Sequence, residues 1–186
     1  MNPLETTAVG LAFAYIVLAM RQSRLCWVAA VMSAAIYILI FTEVKLYMEA
    51  GLQLVFIAIA AVGWILWGVD DSDETLEVTT RPLRFHVIAI AGILISAACA
   101  GFLLSYFTDA ARPYVDSTTT VGAIVCTWMV TQKILENWLY WIAINCVSVW
   151  LFMDRGLSLT SGLFVLYAVL SIAGYFTWRQ SIIQRT

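Results

Sequence analysis

The chain has 186 residues, of which 62% are hydrophobic and only 12% charged, with eight tryptophans and a formal charge of −2. Soluble domains carry about twice that charge fraction, so the long apolar stretches here call for lipid rather than water as solvent. No basic tract suits nucleic acid, the single histidine, His86, argues against a histidine-built metal site, and Cys26, Cys99, Cys126 and Cys146 read as separate small hydrophobes rather than a zinc or redox pair.

The start, Met1-Asn2-Pro3-Leu4-Glu5, lacks a basic n-region, so the first apolar segment is expected to stay in the membrane. Segment 1 runs from Ala8 to Met20 and needs Thr6-Thr7 or Gln22 to approach the ~20 residues of a bilayer crossing. Segment 2 spans Leu25 to Phe41 and segment 3 Ala50 to Val69. A polar break follows, with five acids between Asp70 and Glu77, closed by Arg81-Pro82; it reads as a hydrated loop. Segment 4 spans Phe85 to Phe107, and Asp109-Ala-Ala-Arg112-Pro113 turns the chain into segment 5, Thr118 to Thr131. Segments 6 and 7 span Trp138 to Met153 and Leu159 to Trp178. Their continuous apolar runs fit helices rather than the alternating strands of a membrane barrel.

Seven crossings put the termini on opposite sides. The side with the N-terminus holds Lys45, Arg112 and Arg155; the other holds Arg21, Arg24, Arg81, Arg84, Lys133, Arg179 and Arg185. Three against seven predicts an external N-terminus and a cytoplasmic C-terminus in a multi-pass membrane protein.

Residues near 5–67 overlie residues near 116–178 at a constant offset of 111. Trp27, Gly63, Trp64 and Trp67 then fall on Trp138, Gly174, Tyr175 and Trp178; Phe41, Glu43 and Leu46 fall on Phe152, Asp154 and Leu157; Glu5-Thr6-Thr7 falls on Asp116-Ser117-Thr118. The expected fold is all-α, with residues 1–69 as one three-helix repeat, 70–115 as acidic loop and linking helix, and 116–186 as a second repeat in the same orientation. Membrane proteins built from two such repeats are most often carriers whose halves rock about a central site.

Segment 6 carries the richest polar pattern. Trp138, Trp141, Asn145 and Ser148 share one helical face, and Asn145 lies deep in hydrocarbon. Its amide could make a helix–helix hydrogen bond, or could read a ligand beside Trp141 as a stacking surface. An amide plus an indole suits a neutral or cationic heteroaromatic solute better than an anion. Trp64 and Tyr175 hold equivalent places in the two halves and either line a solute path or pack; Tyr37, Tyr167 and Trp128 are weaker candidates of the same kind. Trp67 and Trp178 read as interfacial belt residues, and Gly63 and Gly174 as close-approach points. Glu5 and Asp116 read as helix caps with their threonines, or as attractors of a positive solute. No Asp or Glu lies deep in a segment, which favours facilitated diffusion over proton coupling, and no concentrated set of acid, base or metal groups suggests an enzyme or a cofactor.

The string Glu136-Asn137-Trp138-Leu-Tyr-Trp141-Ile-Ala-Ile-Asn145, followed by Leu151-Phe152, Arg155-Gly156-Leu157, Thr160, Leu163, Tyr167 and Gly174-Tyr175-Phe-Thr-Trp178-Arg179, resembles the PnuC-type vitamin transporters, as do the acidic-threonine openings Glu5-Thr-Thr7 and Asp116-Ser-Thr-Thr119. The resemblance covers nearly the whole chain. It implies a three-plus-one-plus-three fold related to the sugar-transporting SWEET proteins, a homotrimer, and facilitated uptake of nicotinamide riboside, or in relatives thiamine or riboflavin, drawn by phosphorylation in the cytoplasm. It implies a substrate site drawing on Trp141, Asn145 and Trp64, with Asn137, Trp138, Tyr175, Tyr167, Tyr37 and Thr119 as further candidates. One departure stands out. Ile65 and Leu66 replace the tyrosine and glutamine of a Gly-Trp-Tyr-Gln-Trp ending on segment 3, which removes an amide from that wall. A sugar carrier on the same scaffold and a non-transporting membrane assembly protein are the rival readings.

Overall fold

A computed structural model of the chain describes residues 3–43, 47–68, 76–107, 112–154 and 158–184. The acids at 70–75, Lys45, Leu46, Asp109, the 155–157 turn and Arg185 lie outside the described residues. Within them the chain forms seven helices: α1 (Pro3–Met20), α2 (Leu25–Glu43), α3 (Tyr47–Leu66), α4 (Leu83–Phe107), α5 (Pro113–Thr131), α6 (Asn137–Asp154) and α7 (Ser158–Ile183). At 1.5 Å per residue their 18 to 26 residues give lengths of roughly 27–39 Å, about the thickness of a hydrocarbon core. In helical form each backbone amide finds its partner inside its own segment, as lipid requires. Large apolar side chains such as Leu83, Ile88, Ile95 and Phe102 stay exposed along α4, where lipid can solvate them.

Two helices begin about one turn before their apolar runs. α1 starts at Pro3 and α5 at Pro113, so Glu5 and Asp116 sit inside the first turn rather than before it. Proline suits the first helical position, and acids there oppose the positive end of the dipole. Thr118 and Thr119 do not cap. Thr118 Oγ1 donates to the Tyr114 carbonyl (2.7 Å), and Thr119 Oγ1 to those of Asp116 (2.9 Å) and Val115 (3.2 Å). At its other end α7 continues past Trp178 by more than a turn, to Ile183.

The chain divides into two compact units. One comprises Met1–Val78, Thr127–Lys133 and Phe176–Thr186; the other Thr79–Cys126 and Ile134–Tyr175. In the first, α2 packs between α1 and α3. Ser33 Oγ donates to the Ala8 carbonyl (2.9 Å), and the Trp27 indole lies over Gly63, where any Cβ would collide with it. Trp67 Nε1 donates to the Thr131 carbonyl at the end of α5 (3.1 Å), and Trp178 Nε1 donates to the Ala19 carbonyl at the end of α1 (3.0 Å). The Trp67 ring meets Trp27 at 5.2 Å, edge to face, and Trp178 at 6.2 Å.

In the second unit, Gly101 of α4 receives Tyr114 of α5, Gly122 of α5 receives Ile144 of α6, and Gly174 of α7 receives the Trp138 indole of α6, 2.7 Å from where a Cβ would stand. The segment before α4 runs beside the start of α6. Leu135 N donates to Thr79 O (2.8 Å), and the Glu136 carboxylate accepts from Arg81 N (3.2 Å).

The offset of 111 residues reappears in the backbone. Gln22 and Lys133 are the non-glycine residues with positive φ among those described, at 54° and 47°. Each is the left-handed residue that closes a helix, α1 or α5. Gln22 N donates to Ala19 O and Lys133 N to Val130 O, both at 3.0 Å. Four residues on, Cys26 N donates to Ser23 O and Asn137 N to Ile134 O; then Trp27 N to Arg24 O and Trp138 N to Leu135 O. Each of these pairs is related by the same offset, as are the indole-on-glycine contacts Trp27–Gly63 and Trp138–Gly174.

Filling either indole seat should overpack it. Gly63→Ala and Gly174→Ala are each expected to lower stability by about 1–3 kcal/mol, seen as a lower thermal unfolding midpoint in detergent. Gly10→Ala and Gly51→Ala, whose Cβ positions are open, should leave it level or raise it.

Candidate functional site

Asn145 is 3% exposed in the middle of α6. Its Nδ2 lies 3.4 Å from Ser171 Oγ of α7, and Ser171 Oγ in turn donates to the Tyr167 carbonyl at 2.8 Å. Asn145 Oδ1 takes no hydrogen bond from a described residue. Ser148, one turn further along α6, is buried as well, while Trp141, one turn earlier, is half-buried. Tyr167 is half-buried, with its ring edge-on to Phe164 at 5.9 Å. A half-open indole, a buried amide with a free acceptor and a tyrosine thus gather along facing parts of α6 and α7. Nothing ionised stands within this set, so it offers hydrogen bonds and a stacking face rather than charge.

Asn137 and Trp138, one and two turns before Trp141 and Asn145, have structural work instead. Asn137 is 0% exposed and opens α6, with Nδ2 donating to the Ile134 carbonyl at 2.6 Å. Its Oδ1 has no partner among the described residues, which adds strain to that corner. Trp138 is the indole seated on Gly174. Thr119 spends its hydroxyl proton on its own helix, and Tyr175 is half-buried on α7.

Trp64 and Tyr37 belong to the other unit. Trp64 is 36% exposed, and the Arg24 guanidinium stacks on its ring at 3.8 Å while Arg24 Nε donates to its carbonyl at 2.9 Å. The same indole borders an open apolar groove of about 350 Å³ between α2 and α3, floored by Trp27 and Ala60. Arg24 therefore occupies the face that a ring solute would use. Tyr37 is half-buried, and Trp128 is exposed at the far end of α5.

Two features escape a reading of composition and motif. The first is Ser171, an ordinary helix serine until paired with Asn145; its signal is the offset, because position 60, its counterpart, is alanine. The second joins three ionisable groups. His86 Nδ1 lies 2.9 Å from Tyr140 Oη, and His86 Nε2 lies 3.9 Å from Glu136 Oε1, pinning the first turn of α4 to the first turn of α6.

The two asparagines separate structural from binding roles. Asn137→Ala removes a buried hydrogen bond to the Ile134 carbonyl and is expected to lower the unfolding midpoint by the equivalent of about 1 kcal/mol. Asn145→Ala should leave it close to wild type, because Ala34 fills the equivalent buried position of the first half.

Comparison with known proteins adds the following. The family model described as nicotinamide mononucleotide transporter matches residues 2–180. The nicotinamide riboside transporter PnuC of Escherichia coli (strain K12) is 24% identical, over 79% of this chain and 72% of that one. The riboflavin/roseoflavin transporter RibM of Streptomyces davaonensis is 29% identical, over 70% of this chain and 63% of that one. A crystal structure of the vitamin B3 transporter PnuC superposes with a TM-score of 0.76, covering 100% of this chain and 85% of the other at 22% identity, a likeness of fold.

Proposed function

Because the chain belongs to the nicotinamide mononucleotide transporter family, and is therefore a multi-pass membrane transporter rather than an enzyme, we propose that it carries a ring-containing vitamin, nicotinamide riboside before others, by facilitated diffusion. The observation that carries this reading is Asn145, an amide buried in α6 with a free acceptor, one turn from the half-open indole of Trp141. The ring stacks on Trp141 and Asn145 fixes its rotation. Uptake then follows the gradient, and phosphorylation in the cytoplasm keeps the vitamin inside. The relatives that transport nicotinamide riboside support the substrate.

The scaffold we infer is two like-oriented triplets, α1–α3 and α5–α7, within residues 1–69 and 116–186, with α4 as the linking helix that lets the second enter the bilayer from the same side as the first. The matched turns at Gln22 and Lys133 and the matched indole seats on Gly63 and Gly174 support it. The excess of Lys and Arg on the C-terminal side supports an external N-terminus in a bacterial inner membrane. Riboflavin is the second substrate to test, on the strength of the RibM relative and of Ile65 and Leu66, which make the α3 wall more apolar.

A thermal-shift panel of purified protein against nicotinamide riboside, thiamine, riboflavin and adenosine tests this. Nicotinamide riboside should give the largest stabilisation, and Asn145→Ala should weaken its affinity at least about tenfold in isothermal titration, near 1.4 kcal/mol. No shift with any of the four, or an affinity indifferent to Asn145, would remove the reading.

A further inference from the structure

We propose that Ser171 is a positioning residue that fixes the amide of Asn145 with its oxygen toward the substrate, so that the site takes a carboxamide and rejects a carboxylate; this rests on the vitamin-carrier reading above. A serine hydroxyl owns one proton. Here that proton goes to the Tyr167 carbonyl at 2.8 Å, the shorter and stronger of its two contacts. Toward Asn145, at 3.4 Å, Ser171 Oγ can therefore only accept, and the group facing it must be the amide nitrogen. Proton counting fixes the orientation. With Nδ2 committed, Oδ1 points elsewhere, and it receives no hydrogen bond from a described residue although Asn145 is 3% exposed.

An acceptor left unserved on so buried a side chain favours a ligand that brings it a donor. The fold does not need the pair. The equivalent positions of the first half are Ala34 and Ala60, 5% and 1% exposed, so the same buried corner closes without any polar group. What Asn145 Oδ1 requires is a donor. A pyridine ring stacked on Trp141 presents its exocyclic substituent in the ring plane, and a carboxamide there offers N–H. A carboxylate in the same place would set its oxygen against Oδ1 with no donor between them, and leaving a buried polar group unpaired is what gives hydrogen-bonding sites their selectivity. An amide released from Ser171 could turn over and present Nδ2 instead, which would welcome the carboxylate.

The test is the ratio of affinities for nicotinamide riboside and nicotinic acid riboside, by isothermal titration on wild type, Ser171→Ala and Ser171→Thr, with unfolding midpoints alongside. Wild type should prefer the amide at least about tenfold, Ser171→Ala should cut that preference at least about fivefold, and Ser171→Thr, which keeps the hydroxyl, should restore it. If Ser171→Ala does not fold, Ser171→Cys, similar in volume and weak as a donor, takes its place with the same expectation. An unchanged ratio in the alanine variant overturns the inference alone, and so does equal loss in the alanine and threonine variants, which would mark a packing effect. Failure of wild type to bind nicotinamide riboside overturns the substrate reading and this inference with it.

Discussion

A helix that stops at the edge of a bilayer leaves its last carbonyls short of partners, and in this chain two tryptophans reach such carbonyls. Trp67, just past α3, serves the end of α5, and Trp178, inside α7, serves the end of α1. The arrangement is reciprocal, since the residue just past α3 serves the end of α5 and α7 serves the end of α1. It also brings the two rings to 6.2 Å from each other and sets Lys133 over Trp67 at 4.8 Å. Other local features follow from it. The helices must end at a left-handed residue, Gln22 or Lys133, so that the chain turns away and leaves the terminal carbonyl open to an indole. Trp27 and Trp138 must lie flat on a glycine so that the neighbouring helix comes close enough. A belt residue would need none of this geometry; these indoles are structural hydrogen-bond donors.

That scaffold repeats while its chemistry does not. Cys26, Ala34, Ala50 and Ala60 are buried in the first half, and the residues at their offset positions, Asn137, Asn145, Ser161 and Ser171, are buried in the second. One set is apolar and closes without hydrogen bonds. The other is polar and makes hydrogen bonds: Ser161 to the Val149 carbonyl, Asn137 to that of Ile134, and Ser171 between Tyr167 and Asn145. A duplicated framework therefore presents hydrogen-bonding groups from one half and, at these places, smooth packing from the other.

Helix number and order were legible because lipid imposes a length and forbids open backbone, and apolar runs report both. Helix starts were not. Glu5, Asp116 and their threonines look like boundaries because they are polar, yet a first turn at the headgroup level tolerates polarity, and Pro3 and Pro113 mark the true openings. The offset of 111 could be read from spacing alone, and the positive φ of Gln22 and Lys133 falls on the same offset. The site was legible only where a residue was costly in hydrocarbon. Asn145 announced itself by that cost; Ser171 did not, because a serine that bonds its own helix is cheap anywhere. Nor does the string around Asn137 and Trp138 separate structural groups from binding ones, since a buried cap and a buried ligand group obey the same rule of satisfaction. Trp64 is a similar case: pattern finds the indole but not the guanidinium lying on it, because Arg24 is 40 residues away.

The central claim is that the second half alone supplies the polar recognition of a ring solute. A structure of the protein determined with nicotinamide riboside bound tests it most directly. The pyridine should lie against Trp141 with its carboxamide nitrogen within about 3.2 Å of Asn145 Oδ1. A riboside seated in the α2–α3 groove, or one that leaves Asn145 untouched, would contradict it.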